Sequence, residues 1–197
     1  ELASYGYVVV SVEHTYSALV SVFPDGEIAY KNPQALPSGL PDEEYYAAAN
    51  RLVDQWAGDI SFSLDTLADL DAAYEVHGLG GHLDLERVGV FGHSFGGGAS
   101  AEFCARDARC KAGVGLDAYL IPVSESVRTQ GLRQPFLFLF SETFSSETNT
   151  AFFEQIRSHS DRVTAFTILG TAHYDYGARR RERPPHHVRA PYGRAIP

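Results

Sequence analysis

The sequence predicts an α/β fold with a doubly wound, mostly parallel sheet. Short, continuously apolar runs recur along the chain, and stretches with helical spacing separate them. Such runs are typical of strands buried on both faces of a parallel sheet, where each crossover needs a helix. One of these runs ends in a glycine-rich turn that leads directly into a helix. The resulting order, β-α-α-β-α-β-loop-β-α-β, indicates the α/β class.

Each element follows from its own pattern. In the second helix Ile60, Leu64 and Leu67 recur at spacings of four and three, which places them on one helix face. Glycines at 78, 80 and 81 end that helix. The predicted strands cover residues 7–12, 88–91, 113–116, 136–140 and 165–169, and the predicted helices cover 43–56, 59–76, 95–106 and 148–159. The proline-rich segment 23–41 is predicted to be a long loop, either bordering a pocket or crossing the surface.

Composition limits the function classes. Of the 197 residues, 44% are apolar and 21% are charged, as in ordinary globular domains. The formal net charge of −9 argues against nucleic-acid binding. No apolar run approaches the ~20 residues of a membrane-spanning helix. We therefore expect a globular protein that binds neither nucleic acid nor the membrane interior.

The two ends of the chain differ from its body. Residues 177–197 contain six Arg, four Pro and one acid, so we expect a flexible tail after a domain that covers residues 1–176. The chain begins at Glu1 without a leader peptide and contains no Met, so we expect residues to be missing in front of it. Whether the protein is secreted or cytoplasmic stays open.

The two cysteines, Cys104 and Cys110, do not form a metal-binding motif. They lie six residues apart without clustered histidines, so we expect no zinc site. Two possibilities remain open at this point: a small disulfide loop, which implies an oxidising compartment, or two unrelated buried thiols.

The chemistry is expected at the end of the second predicted strand. The segment 92–98 reads Gly-His-Ser-Phe-Gly-Gly-Gly and matches the pattern G-x-S-x-G between a strand and a helix. The sharp turn exposes the hydroxyl of Ser94, and glycines on both sides let strand and helix approach closely. The backbone N–H of Phe95 at the helix start can donate to an oxyanion. We interpret Ser94 as a nucleophile.

A serine hydroxyl needs a base, and the base needs an acid. His173 follows the last predicted strand and can reach the same sheet edge, whereas His93 lies inside the turn and is expected to point away. Two acids follow strands, Asp117 after 113–116 and Glu142 after 136–140. Both give the order Ser, acid, His, so the pattern alone leaves them nearly equal.

The sequence resembles the plasma and type II platelet-activating factor acetylhydrolases. These are calcium-independent serine lipases of the α/β-hydrolase fold, also described as group VII phospholipases A2. The matching pieces lie in family order over residues 1–176. They are Tyr-Val-Val-Val-Ser-Val-Glu-His at 7–14, the serine turn at 92–97, Gly-Leu-Asp-Ala-Tyr at 115–119, Phe-Leu-Phe-Ser-Glu at 138–142 and Gly-Thr-Ala-His at 170–173.

The resemblance implies a reaction and assigns roles. The family keeps its acid after the strand that follows the serine, which favours Asp117 over Glu142. It implies hydrolysis of the short sn-2 acyl ester of a phospholipid, without metal or organic cofactor. The family's second oxyanion donor lies upstream of these residues, so we expect this chain to lack it together with the N-terminal strands of the fold. The residues expected to contact the substrate are His14, His93, Tyr119 and Leu120.

The sequence also allows alternative interpretations of the first helices and of the function. The first helices, with Tyr45, Tyr46 and Trp56, either contact a lipid interface or pack in the core. A carboxylesterase of the cutinase, polyester hydrolase or dienelactone hydrolase kind shares the serine turn. A truncated, inactive hydrolase-like protein is the alternative outside the enzymes.

Overall fold

The computed structural model describes residues 2–73, 80–144 and 146–176, and the backbone of 188–189. Their contacts divide the chain into two compact units, Glu1–Leu85 and Glu86–Pro197. Each unit is described by itself. The predicted tail, residues 177–197, lies outside the described residues except for that backbone pair, so the boundary at residue 176 stays a prediction.

The first unit contains a hairpin and one long helix. Strands β1 (Val20–Val22) and β2 (Ile28–Tyr30) pair antiparallel, with Ser21 opposite Ala29. Helix α1 covers Asp42–Ala72, and a short 3-10 helix covers Leu2–Tyr5. Three acids occupy the first turn of α1, where the helix dipole favours negative charge.

Three predictions in this unit are wrong in detail. Residues 7–12 form no strand, since no described strand pairs with them and Val8, Val9 and Val10 are exposed. The two predicted helices are one continuous helix. Gly58 lies inside it and lowers helix stability by only about 1 kcal/mol relative to alanine, which is too little to end the helix. Strand β2 lies inside the segment predicted to be a loop.

The second unit is built on a parallel sheet. Four strands run parallel in chain order, and the two-residue strand β7 (Val188–Arg189) pairs antiparallel with the last of them. The predicted α/β class and mostly parallel sheet are confirmed, although the described strands contain no reversal of order. The parallel strands are β3 (Val88–His93), β4 (Cys110–Leu116), β5 (Phe136–Ser141) and β6 (Val163–Ile168).

Three helices connect these strands, and α2 is the most buried of them. Its residues from Gly97 to Cys104 are buried, while α3 and α4 bury Val127 and Ile156. Phe138 of β5 lies at the centre of an aromatic core with Phe153. The helices are α2 (Phe95–Arg106), α3 (Glu125–Gln130) and α4 (Glu147–Ser158).

A disulfide joins α2 to β4. Cys104 in the last turn of α2 is bonded to Cys110, the first residue of β4. The structure thus selects the disulfide loop over two separate thiols. The bond closes the short connection between the helix after Ser94 and the strand before Asp117.

Candidate active site

Ser94 occupies a strained turn between β3 and α2. Its backbone angles are φ 57° and ψ −120°, a conformation that non-glycine residues seldom adopt. The carbonyl oxygen of Ser94 accepts hydrogen bonds from the N–H groups of Gly97 (3.0 Å) and Tyr119 (2.9 Å). These bonds fix the turn in a geometry that the backbone does not favour by itself.

Close approach of strand and helix explains the glycines. A Cβ on Gly92 would lie 2.2 Å from the carbonyl oxygen of Gly96, and one on Gly97 would lie 2.7 Å from Cβ of Ala118. A Cβ on Gly96 would meet nothing within 4 Å. The turn therefore requires glycine before the serine and at Gly97, whereas Gly96 contributes its backbone.

His173 joins the serine to an acid. Its Nε2 lies 3.1 Å from Oγ of Ser94, and its Nδ1 lies 2.9 Å from Oδ2 of Asp117. Asp117 accepts only, so Nδ1 carries the proton and Nε2 is left to accept from the serine hydroxyl. The side chain of His173 is 16% exposed. The loop after β6 thus brings the imidazole to the sheet edge where β3 and β4 end.

Asp117 is completely buried and hydrogen-bonded on both oxygens. It is 0% exposed. The backbone N–H of Ser141 donates to Oδ1 (2.7 Å) and the Ser141 hydroxyl donates to Oδ2 (2.6 Å). Asp117 also has a positive φ of 46°. A buried carboxylate needs such donors, and Ser141 supplies two at the end of β5.

Glu142 has a different set of partners. Its carboxylate accepts from the backbone N–H of Gly170 (2.8 Å), and its own N–H donates to the carbonyl oxygen of Thr171 (3.1 Å). Both bonds hold the loop that precedes His173. Glu142 therefore binds the backbone of the histidine loop, and it is Asp117 whose carboxylate contacts the ring.

Aromatic rings enclose the imidazole. The ring of Phe144 stacks on His173 with centroids 3.7 Å apart, and Tyr174 meets it edge-on at 5.2 Å. Tyr176 lies in the same short 3-10 helix, His173–Tyr176. Burial, followed by the negative charge of Asp117, raises the pKa of Tyr176 to about 12. The rings of Phe144 and Tyr174 cover part of the imidazole and reduce the access of water to it.

His93 contacts the histidine loop from inside the serine turn. Its Nε2–H donates to the carbonyl oxygen of His173 (2.8 Å), and the two rings lie 4.4 Å apart. Burial, and then the neighbouring His173, lower the pKa of His93 below its ordinary value. The expectation that His93 points away is wrong, because its ring supports the backbone of His173.

The other residues predicted to contact substrate differ in position. Tyr119 is partly exposed, and its ring lies 5.0 Å from that of Phe95. Leu120 is 0% exposed, and its N–H donates to the buried side chain of Asn149 (2.6 Å). Leu120 therefore has the position of a core residue. Phe95 begins α2, which places its backbone N–H at the helix N-terminus.

His14 belongs to the first unit. Its Nδ1 lies 2.7 Å from Oδ2 of Asp59, and its ring stacks on Trp56 with centroids 4.3 Å apart. From the sequence, His14 was expected to contact the substrate, and Trp56 to lie at a lipid interface or in the core. The structure joins the two rings within the first unit.

Three supporting residues were missed by the sequence reasoning. Ser141 holds Asp117, Asn149 ties the loop after Asp117 through Ala118 and Leu120, and Phe144 covers His173. Ser141 follows the apolar run of β5, and that position at a strand end was the one available signal. Asn149 lies in α4 and Phe144 lies before it, and the sequence around them gave no signal of these roles.

The described residues contain no cluster of three or more His, Cys, Asp or Glu able to hold a metal ion. No helix within them is long and apolar enough to cross a membrane.

Comparison with known proteins relates this chain to one family. The family model described as "Platelet-activating factor acetylhydrolase, isoform II" matches residues 1–177. Curated relatives named platelet-activating factor acetylhydrolase, from Cavia porcellus and Bos taurus, are 27% and 28% identical. Each alignment covers 89% of this chain and 43% of the relative, so the chain spans less than half of their length.

A solved structure shares the fold. A ferulic acid esterase from Streptomyces cinnamoneus superposes with a TM-score of 0.62 at 25% identity, over 82% of this chain and 42% of that protein. The fold is thus of the α/β-hydrolase type. Because the family model matches most of the chain, the resemblance read from the motifs is confirmed: this chain belongs to the isoform II platelet-activating factor acetylhydrolase family.

Proposed function

We propose that this chain carries the reactive centre of a serine esterase that hydrolyses the short sn-2 acyl ester of phospholipids resembling platelet-activating factor. The observation that carries the proposal is the continuous set of contacts from Ser94 to His173 to Asp117, with distances of 3.1 and 2.9 Å. Nucleophile, base and acid each follow a different strand at one sheet edge, which is the arrangement that acyl transfer by serine requires.

In the proposed reaction, Oγ of Ser94 attacks the acyl carbonyl carbon while Nε2 of His173 takes the hydroxyl proton. Asp117 stabilises the imidazolium through Nδ1–H. His173 then gives its proton to the lyso-lipid oxygen as the ester bond breaks. Water, activated by the same histidine, releases the acyl group from Ser94 and restores the hydroxyl.

Charge on the carbonyl oxygen needs donors that are already in place. The backbone N–H of Phe95 begins α2, so the helix dipole adds to its hydrogen bond. The rings of Phe95 and Tyr119 lie 5.0 Å apart, and Phe144 is 6.4 Å from Tyr119. We propose that these aromatic residues contact the acyl group and that its small size lets them exclude water.

Family membership supports the phospholipid substrate, and the ferulic acid esterase neighbour supports a second candidate, an aromatic-acid carboxylesterase. The rates at which the chain hydrolyses different esters distinguish these two candidate functions. We expect kcat/KM for a 2-acetyl phospholipid to exceed that for a 2-palmitoyl phospholipid and for ethyl ferulate by at least about tenfold. Ser94→Ala is the control for background hydrolysis. Preference for ethyl ferulate would replace the first candidate with the second.

A further inference from the structure

A cleft of about 670 Å³ lies at the sheet edge opposite the proposed active site. It is bordered by the last turns of α2 and α3, the start of β4, and the residues just before β5 and β6. The residues of the active site follow the other ends of these strands. Strands of six or seven residues separate the two edges by about 20 Å.

The cleft is cationic, although the chain as a whole is acidic. Arg106, Lys111, Arg133 and Arg162 line it, and Asp107 is the one acid in its lining. Asp107 itself is paired with Arg109, with 2.6 Å between Nη2 and Oδ2. The cleft therefore has a clear excess of positive charge in a protein whose formal net charge is −9.

Strand register brings the cations together. Gly113 pairs with Phe136, and Phe136 pairs with Val163. Lys111, Arg133 and Arg162 stand just before these positions on three adjacent strands or their leading segments. Neighbouring strands are about 4.8 Å apart, so the segments that carry these three residues enter the sheet side by side. The clustering of charge is thus built into the fold.

Only some of these cations form ion pairs within the protein. Arg106 is bonded to the buried carboxylate of Glu102, and Lys111 lies 3.9 Å from the exposed Glu86. Arg133 and Arg162 are exposed, and the structure gives neither an ion pair with a described residue. Two exposed arginines on neighbouring chain segments can together offer paired N–H donors to the oxygens of a phosphate group.

A neutral side chain in the cleft also needs a partner. Gln134 lines the cleft, and its buried Oε1 has no hydrogen-bond donor among the described residues. A hydrogen phosphate or a phosphate monoester supplies both kinds of group: oxygens for the arginines and an O–H for this amide oxygen.

We propose that this cleft is a second binding site, which takes a phosphate-bearing anion held mainly by Arg133 and Arg162. The proposal does not depend on the esterase activity, because Ser94, His173 and Asp117 are not among the residues that line the cleft.

Calorimetric titration of the full chain with inorganic phosphate tests it. We expect saturable one-to-one binding that weakens as NaCl is added. The variant R133Q/R162Q should bind at least about tenfold more weakly, because it loses charge-assisted hydrogen bonds. The control R51Q/R157Q removes the same charge from exposed arginines outside the cleft and should stay within about twofold of the wild type.

Vesicles distinguish a lipid headgroup from a free phosphate. Co-flotation with phosphatidylcholine vesicles containing phosphatidic acid, lost in R133Q/R162Q, would assign the site to a headgroup. Phosphate binding without such co-flotation would assign it to a soluble ligand. The proposal is overturned if the wild type binds neither phosphate nor these vesicles, or if R133Q/R162Q binds as the wild type does while its thermal unfolding is unchanged.

Discussion

Ser94 and Asp117, whose side chains both contact His173, share a positive φ angle that is uncommon for residues other than glycine. Ser94 has a φ of 57° and Asp117 a φ of 46°. Residues held in sparsely populated conformations cluster at sites where the surrounding structure fixes them for a purpose. Hydrogen bonds to the Ser94 carbonyl oxygen and to both Asp117 oxygens supply that support.

The two acids near the histidine should differ sharply in their effect on hydrolysis. Asp117→Asn keeps the shape of the side chain but removes the charge that fixes the Nδ1–H tautomer, so we expect kcat/KM to fall about 10⁴-fold. Glu142→Gln is the matched control. It keeps an oxygen for the N–H of Gly170, and we expect a loss of less than about tenfold. The reverse ranking would assign the acid to Glu142.

The lowered pKa of His93 predicts a pH dependence of stability. Above about pH 6.5 His93 is neutral in both the folded and the unfolded state, so it contributes no slope there. As the pH falls below 6.5, the unfolded chain takes up a proton that the folded chain binds only at a lower pH. The free energy of unfolding should therefore fall over this window and level off below the folded pKa.

Urea unfolding between pH 7.5 and pH 5 measures this contribution. His93→Gln keeps an N–H donor for the His173 carbonyl oxygen but does not titrate, so the slope should flatten. The surface variant His159→Gln should keep the slope of the wild type. An unchanged slope in His93→Gln would show that His93 is not the group responsible.

Tyr176 should titrate well above an ordinary tyrosine. Its pKa of about 12 is raised by burial and then by the charge of Asp117. Stability from this group is complete below pH 10 and is lost as the pH rises toward 12. The absorbance change near 295 nm, compared between wild type and Tyr176→Phe, isolates this one tyrosine. In Asp117→Asn its pKa should move down; no movement would separate Tyr176 from the charge of Asp117.

At the level of elements, the turn between β3 and α2 depends on contacts between backbones. Gly92→Ala would place a Cβ 2.2 Å from the Gly96 carbonyl oxygen, so we expect a loss of at least about 2 kcal/mol in the free energy of unfolding. Gly96→Ala, four residues later, meets open space in a helix and should be neutral or stabilising by up to about 1 kcal/mol. Chemical denaturation of both variants provides the measurement. Equal effects would contradict the close approach.

Local sequence pattern predicted the four parallel strands and two of the three helices of the second unit, whereas α3 lies where the sequence predicted a loop. The apolar runs at 88–91 and 136–140 and the helix at 95–106 lie within one or two residues of β3, β5 and α2. Each of these is fixed by burial on a regular period or by the glycine turn. The run 7–12 has the same composition but no described strand to pair with, and a strand is defined by its partner.

The contacts among Ser94, Asp117 and His173 agree with the expectation from strand ends, whereas the contacts that depend on packing were not foreseen. Ser94, Asp117 and His173 each follow an apolar run, and a parallel sheet brings such positions to one edge. The contacts of Phe144 with His173 and of His93 with the His173 carbonyl oxygen depend on loop paths that no local pattern encodes. Motif order alone left two candidate acids and the family resemblance favoured Asp117. The coordinates add that the Asp117 carboxylate contacts the His173 ring, whereas the Glu142 carboxylate binds the backbone of the loop before it.

Across the whole second unit, one sheet separates two kinds of chemistry. The carboxyl ends of the strands bring together Ser94, His173 and the buried Asp117, and the amino ends bring arginines to the border of a cleft. A phosphate group at the second edge would lie too far from Ser94 to take part in acyl transfer. The two proposals can therefore fail separately.

The proposed reaction depends on Ser94 acting as a nucleophile activated by His173. Reaction of the full chain with a fluorophosphonate probe, followed by mass spectrometry of the modified peptide, tests it most directly. We expect one adduct, on Ser94, that is absent in Ser94→Ala and forms much more slowly in His173→Gln and Asp117→Asn. An unlabelled wild type, an adduct on another residue, or equal rates in all three chains that retain Ser94 would contradict it.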